Sequence, residues 1–147
     1  MEGDNLQLRR QVCFALYAAS RAVTALYRPV LDRLGLTYPQ YLVLLVLWEH
    51  GDTTVKALGS ALMLDSGTLS PLLKRLESGG LVVRRRSSTD ERSVVISLTP
   101  AGDRLRREAA AVPGAVAAAS GLPPAALSAL RDTLVALTEA VTASTPR

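Results

Sequence analysis

The chain holds one cysteine, one histidine, one tryptophan and one phenylalanine, and aromatic residues make up only 4% of it. A lone cysteine excludes an internal disulfide, and nothing in the sequence has a zinc-ligand spacing, so neither a covalent staple nor a metal or other cofactor is expected. Cys13 is therefore either an inert thiol or a reactive one. No stretch reaches the roughly 18 uninterrupted apolar residues of a membrane span. The first residues, MEGDNLQLRR, lack the basic-then-apolar order of a secretion signal. A cytoplasmic protein with no membrane partner is the expectation. Acidic residues are in the minority: 13 Asp and Glu face 17 Lys and Arg, leaving a formal charge of +4, which suits a polyanionic partner without demanding one. What is present is a chain of 147 residues, 48% of them hydrophobic, enough for one domain around one core.

From about Leu6 to Leu34 apolar residues recur at three and four, through Val12, Leu16, Ala19, Val23, Leu26 and Val30, which predicts a long first helix with Pro29 late in it. LGLTYPQ then reads as a stop and restart, with Gly35 at a helix C-terminus and Thr37 as the next N-cap. YPQYLVLLVLWEHGD is apolar almost all round and predicts a buried helix ending near Gly51. Two short helical segments follow, TTVKALGSALML and DSGTLSPLLKRLESGGL. The second has Asp65 or Ser66 as N-cap, leucines 69, 72, 73 and 76 at helical spacing, and a stop at Gly79 and Gly80. The period then changes: LVVRRR and RSVVISLT are β-branched runs, and SSTDE between them reads as a hairpin tip. Helix returns at Thr99 and Pro100, is interrupted at Pro113 and Gly114, and resumes with Leu127, Leu130, Leu134, Leu137 and Val141 along one face. The fold class is thus mainly α with a small β-hairpin wing, a winged helix-turn-helix. Its apolar, Ala-rich last helix wants a partner, which the first helix of a second chain would provide.

Ser66, Gly67, Thr68 and Ser70 cluster at the start of the second short helix, with Lys74 and Arg75 one or two turns on. Small donors at a helix N-terminus approach base edges and phosphates closely, although the same residues also serve as ordinary caps and dipole partners. The hairpin tips that balance: Arg84, Arg85 and Arg86 run up one strand, Arg92 begins the other, and Asp90 stands close enough to orient Arg92. A basic hairpin can lay an arginine into the minor groove of a duplex. The candidate DNA-binding set is Ser66, Gly67, Thr68, Ser70, Lys74, Arg75, Arg84, Arg86, Asp90 and Arg92.

LDSGTLSPLLKRLESGGLVVRRRSSTDERSVVISLTPAG resembles the winged-helix core of MarR-type transcriptional regulators, with the D-x-R wing present as Asp90-Glu91-Arg92. More narrowly, CFALYAASRAVTALYRPVLDRLGLTYPQYLVLLVLWEH resembles the organic-hydroperoxide-resistance regulators, the OhrR group. The resemblance covers nearly the whole chain. It implies a single domain over 1–147, with 6–36 and 100–143 as dimerisation helices and 37–99 as the winged helix-turn-helix. It also implies a repressor, not an enzyme, bound as a homodimer to pseudo-palindromic double-stranded operator DNA.

Spacing bears on the cysteine as well. Steps of four and fourteen residues put Tyr17 and Tyr27 within about 40° of Cys13 around the helix, on a polar stripe with Ser20 and Thr24. Tyrosine hydroxyls that donate to sulfur favour the thiolate, the species that attacks a peroxide. Tyr27 lies about 21 Å further along the axis, so one helix cannot bring it to Cys13, whereas a second chain running antiparallel can. The resemblance implies that Cys13 is the redox sensor, that Tyr17 and Tyr27 of the partner chain bond it, and that an organic hydroperoxide oxidises it to a sulfenic acid. Some members of the group then close an intersubunit disulfide with a second cysteine. With one cysteine, this chain resembles those in which the sulfenate passes to a mixed disulfide with a small thiol, to a sulfenamide, or to over-oxidation. The competing reading keeps the DNA-binding fold, makes the effector a small aromatic ligand and leaves Cys13 structural. An enzyme would need a base or cationic activator beside the thiol, and the only histidine, His50, is better explained as the C-terminal residue of the buried helix.

Overall fold

A computed structural model describes residues 5–145. The first apolar run divides into a 3₁₀ turn, Leu8–Arg10, and helix α1, Val12–Asp32. It does not run unbroken from Leu6, because Gln11 is extended and its side-chain amide donates to the carbonyls of Asn5 and Gln7, which holds the leader off the helix axis. The helix passes through Pro29 and ends at Asp32, and the turn that follows reverses at Gly35, whose φ of 69° glycine takes without strain, with the Leu36 N–H closing on the Leu31 carbonyl at 3.1 Å. Helix α2, Tyr38–His50, opens on a capping box in which the Thr37 hydroxyl accepts from the Gln40 N–H and the Gln40 side chain accepts from the Thr37 N–H. As its all-round apolar sequence predicts, α2 is central, burying Tyr41, Val43, Leu44, Leu47 and Trp48.

Next come β1 (Thr53–Thr54), α3 (Val55–Leu62) and α4 (Ser66–Ser78). The turn between the two helices is tight. Met63 takes the left-handed conformation at φ 55°, the Leu64 N–H bonds the Gly59 carbonyl at 2.9 Å, and a Cβ on Gly59 would come within 2.9 Å of the Leu64 carbonyl oxygen. Asp65 is the N-cap of α4, accepting from the Thr68 N–H at 2.7 Å. Leu69, Leu72, Leu73 and Leu76 are all buried, each stabilising the unit by roughly 1.5–3 kcal/mol of apolar transfer.

Strands β2 (Val82–Arg86) and β3 (Val94–Leu98) form the hairpin, and β1 adds to its far side, giving a three-stranded antiparallel sheet in the order β1-β3-β2. Arg92 stands in the tip instead of opening β3. Val82 and Ile96 bury the face of the sheet shared with α4. Helix α5, Pro100–Ala109, is capped by Thr99 and anchored at Gly102: its carbonyl accepts from the Trp48 indole N–H at 3.0 Å, and a Cβ there would overlap the Leu81 carbonyl oxygen.

The chain forms two compact units, divided between Val112 and Pro113. The break in the helix after the wing falls at Ala110, not at Pro113, which sits in the first turn of α6 (Val112–Ser120), where no proline N–H is missed. The second unit continues α6 and adds α7, Pro124–Ser144, which buries none of its residues and leaves Leu130, Val135, Leu137 and Val141 exposed. Within the first unit, α1 buries only Leu31 and exposes Val12, Phe14, Tyr17 and Val23. Among the described residues no single helix is long and apolar enough to cross a membrane.

Candidate redox and nucleic-acid site

Cys13 lies in the first turn of α1 and is exposed. One turn on, Tyr17 is exposed as well, with the Arg21 guanidinium 5.6 Å from its ring centre. Tyr27 is in a different environment. Its ring centre is 4.7 Å from that of Tyr38 and 5.8 Å from that of Tyr41, and Tyr41 in turn meets Trp48 edge-on at 6.4 Å. The capping box at Thr37 creates this cluster by starting α2 so that Tyr38 and Tyr41, three residues apart, both face the last turns of α1. Burial first, and then the neighbouring phenols of Tyr38 and Tyr41, push the Tyr27 hydroxyl above its ordinary pKa, so it remains a proton donor. A groove of about 280 Å³ opens beside it, lined by Thr24, Arg28, Leu31 and Tyr38 among others.

The structure thus brings Tyr27 together with Tyr38 and Tyr41, while Tyr17 stands apart on the exposed stripe with Cys13. Tyr38 and Tyr41 were not among the candidates drawn from the sequence. Their signal lay in TYPQY itself, two tyrosines three residues apart at a helix start.

On α4, Ser66, Gly67, Thr68, Ser70, Lys74 and Arg75 are all exposed, and Ser66, Ser70 and Lys74 follow one another at four-residue steps on the side away from the buried leucines. The Asp65 carboxyl is held below the usual carboxylate range, first by the Thr68 backbone N–H and then by the Thr68 hydroxyl. In the wing, Asp90 acts on the backbone: its Oδ1 accepts from the Arg92 N–H at 3.0 Å and its Oδ2 from the Ser93 hydroxyl at 3.2 Å. It shapes the tip and leaves the Arg92 guanidinium exposed. The strand arginines differ among themselves. Arg84 lies 3.6 Å from Glu77 at the end of α4, Arg85 bonds Asp52 at 2.6 Å, and Arg86 donates to the Glu91 carbonyl at 3.4 Å. Among the described residues, no group of three or more His, Cys, Asp or Glu side chains is placed to hold a metal ion.

A short helix, a tight turn, a second helix with a small-polar exposed face, and a basic hairpin with an ordered tip define a winged helix-turn-helix regulator. Comparison with known proteins gives the family. Residues 25–108 match the family model described as transcriptional regulator SarA/Rot. The chain is 51% identical over 136 residues to the organic hydroperoxide resistance transcriptional regulator of Bacillus subtilis (strain 168), covering 92% of each. It is 44% identical over 120 residues to the regulator MgrA of Staphylococcus aureus, covering 81% of this chain and 82% of that one. The solved structure of reduced AbfR bound to DNA, AbfR being a protein of Staphylococcus epidermidis, superposes with a TM-score of 0.77 at 37% identity, over 97% of this chain and 99% of that one. The chain belongs to the MarR family of transcriptional regulators, in its organic-hydroperoxide-resistance group, and carries a single cysteine.

Proposed function

We propose that the protein is a homodimeric repressor that binds pseudo-palindromic double-stranded operator DNA and lets it go when an organic hydroperoxide oxidises Cys13. The observation that carries this reading is the arrangement of α1: an exposed thiol in its first turn and a phenol cluster of Tyr27, Tyr38 and Tyr41 at its other end. The separation of about 21 Å means that the two can meet only between antiparallel chains. The exposed apolar faces of α1 and α7 call for such a partner. In the partner's cluster, Tyr27 and Tyr38 donate to the sulfur and favour its thiolate. Tyr17, one turn from Cys13 on the same chain, borders the approach to it.

The thiolate attacks the outer oxygen of the hydroperoxide, a sulfur–oxygen bond forms as the oxygen–oxygen bond breaks, and the leaving alkoxide takes a proton from a tyrosine hydroxyl or water. Cysteine is oxidised to sulfenic acid and the hydroperoxide is reduced to the alcohol. With no second cysteine in the chain, a small thiol then condenses with the sulfenic acid, releasing water and leaving a mixed disulfide. On the DNA side, Ser66, Gly67, Thr68 and Ser70 with Lys74 and Arg75 enter the major groove, and Arg86 and Arg92 follow the adjacent minor groove, with Asp90 setting the tip and Arg84 shared with Glu77. A modified Cys13 that no longer fits between the partner's tyrosines shifts the two winged helices off operator spacing, and a coupling of about 1–3 kcal/mol changes affinity roughly 5- to 150-fold.

Cys13→Ser tests this directly. Titrated against duplex DNA with and without cumene hydroperoxide, the wild type should lose affinity on oxidation and the variant should not; release by the variant would remove Cys13 from the mechanism. The groove beside Tyr27, flanked by Arg28, supports the second reading, a small aromatic acid as effector. Release by a phenolic acid but not by peroxide would favour it.

A further inference from the structure

The four arginines of the wing do not share one role. Along β2, Val82, Arg84 and Arg86 share the face of buried Ile96, and Arg85 lies on the other face with Val83. On that other face Arg85 is level with Val95 of β3, which is itself paired with Thr54 of β1. Asp52 stands one residue before β1, level with Ser97. The Arg85 guanidinium crosses the central strand and bonds the Asp52 carboxylate at 2.6 Å, spanning two interstrand spacings, about 10 Å. Beneath the pair the Ser97 hydroxyl is shut off from solvent and close enough to depress the Asp52 carboxyl, together with Arg85, though it does not reach full hydrogen-bond geometry.

We infer that the Asp52–Arg85 pair is a strap that positions the wing: it ties the free edge of the hairpin to the strand that leads directly into α3, so that the tip carrying Arg92 is aimed relative to the recognition helix. Arg85 is a positioning residue and does not bind phosphate. β1 is only two residues long and holds the sheet by few backbone bonds, so a side-chain tie across β3 adds to its registry. The inference rests on the DNA-binding reading above.

Its test uses the full-length protein and a 40-base-pair duplex selected from a random pool by the wild type, with affinity measured over a range of salt concentrations. Asp52→Asn adds positive charge and Arg85→Gln removes it, so general attraction to DNA would move the two affinities in opposite directions. As a strap, both substitutions weaken binding, by about three- to ten-fold for a surface pair repeated in two protomers, with the slope of log affinity against log salt unchanged. The charge-exchanged protein, Asp52→Arg with Arg85→Asp, should recover affinity to within about two-fold of the wild type. Three results overturn the inference: tighter binding by Asp52→Asn, a salt slope reduced by about one phosphate contact per protomer in Arg85→Gln, or wild-type affinity in both single variants. If the wild type itself shows no salt-dependent duplex binding, the DNA-binding reading fails instead.

Discussion

At the residue scale, the two tyrosines of α1 differ because of what begins after the loop. Tyr27 is half-buried against Tyr38 and Tyr41, while Tyr17 is exposed beside Arg21. Burial, followed by the two neighbouring phenols, raises the Tyr27 hydroxyl above its ordinary value of 10.0, and burial then Tyr38 does the same for Tyr41. A raised pKa means that the folded protein holds the proton more tightly than the unfolded chain. The associated stability is therefore complete below about pH 10 and is lost as pH rises through the folded-state pKa. Denaturant unfolding between about pH 9 and 11 should show wild-type stability falling, with Tyr27→Phe falling less steeply; ultraviolet absorbance should show that variant missing one late-ionising phenol. The stripe from Cys13 through Tyr17 to Tyr27 was legible in the sequence because helical spacing is local. The grouping of Tyr27 with Tyr38 was not, because it depends on the angle at which α2 leaves its capping box, a tertiary quantity that no periodicity encodes.

At the element scale, the helix-turn-helix depends on a close backbone approach. Gly59 and Leu64 meet across the turn with no room for a side chain, and Met63 accepts a left-handed conformation to let them do so. Gly59→Ala should open the turn and destabilise the first unit by about 1–3 kcal/mol, read as a lower midpoint in chemical denaturation, with loss of duplex binding exceeding that of a surface variant such as Lys56→Ala. Here the sequence was informative: the caps at Thr37, Asp65 and Thr99, the stop at Gly79 and Gly80, and the buried leucines of α4 all stand where their chemistry placed them. β1 is not legible in the sequence because two residues carry no alternation, and TTVKAL reads as a helix start. Asp90 acts on the backbone of the tip and not on a guanidinium. The D-x-R spacing suggests a carboxylate aimed at a guanidinium, but the carboxylate caps backbone and a serine hydroxyl in the tip, leaving Arg92 free to extend.

At the scale of the whole molecule, the two 21-residue helices, α1 in the first unit and α7 in the second, each show a long apolar face to solvent in one chain. Exposed apolar area of that extent is ordinarily covered by another subunit. On the proposed mechanism the same requirement arises from chemistry, since the Cys13 thiol lies in the first turn of α1 and the Tyr27–Tyr38 pair lies by its last turns. Sensing and dimerisation are on this account a single device, in which each chain supplies the sulfur of one site and the phenols of the other. Mixed dimers separate the two contributions. One chain carries Cys13→Ser with its tyrosines intact, and the other keeps Cys13 but carries Tyr27→Phe and Tyr38→Phe. Trapping of the sulfenic acid with dimedone, followed by mass spectrometry after a pulse of cumene hydroperoxide, measures oxidation at the one remaining thiol. The account predicts that this thiol reacts at about the wild-type rate, because its tyrosines come from the other chain, while homodimers of the tyrosine-less chain react slowly. Equal, slow oxidation in the mixed dimer and in that homodimer would contradict it.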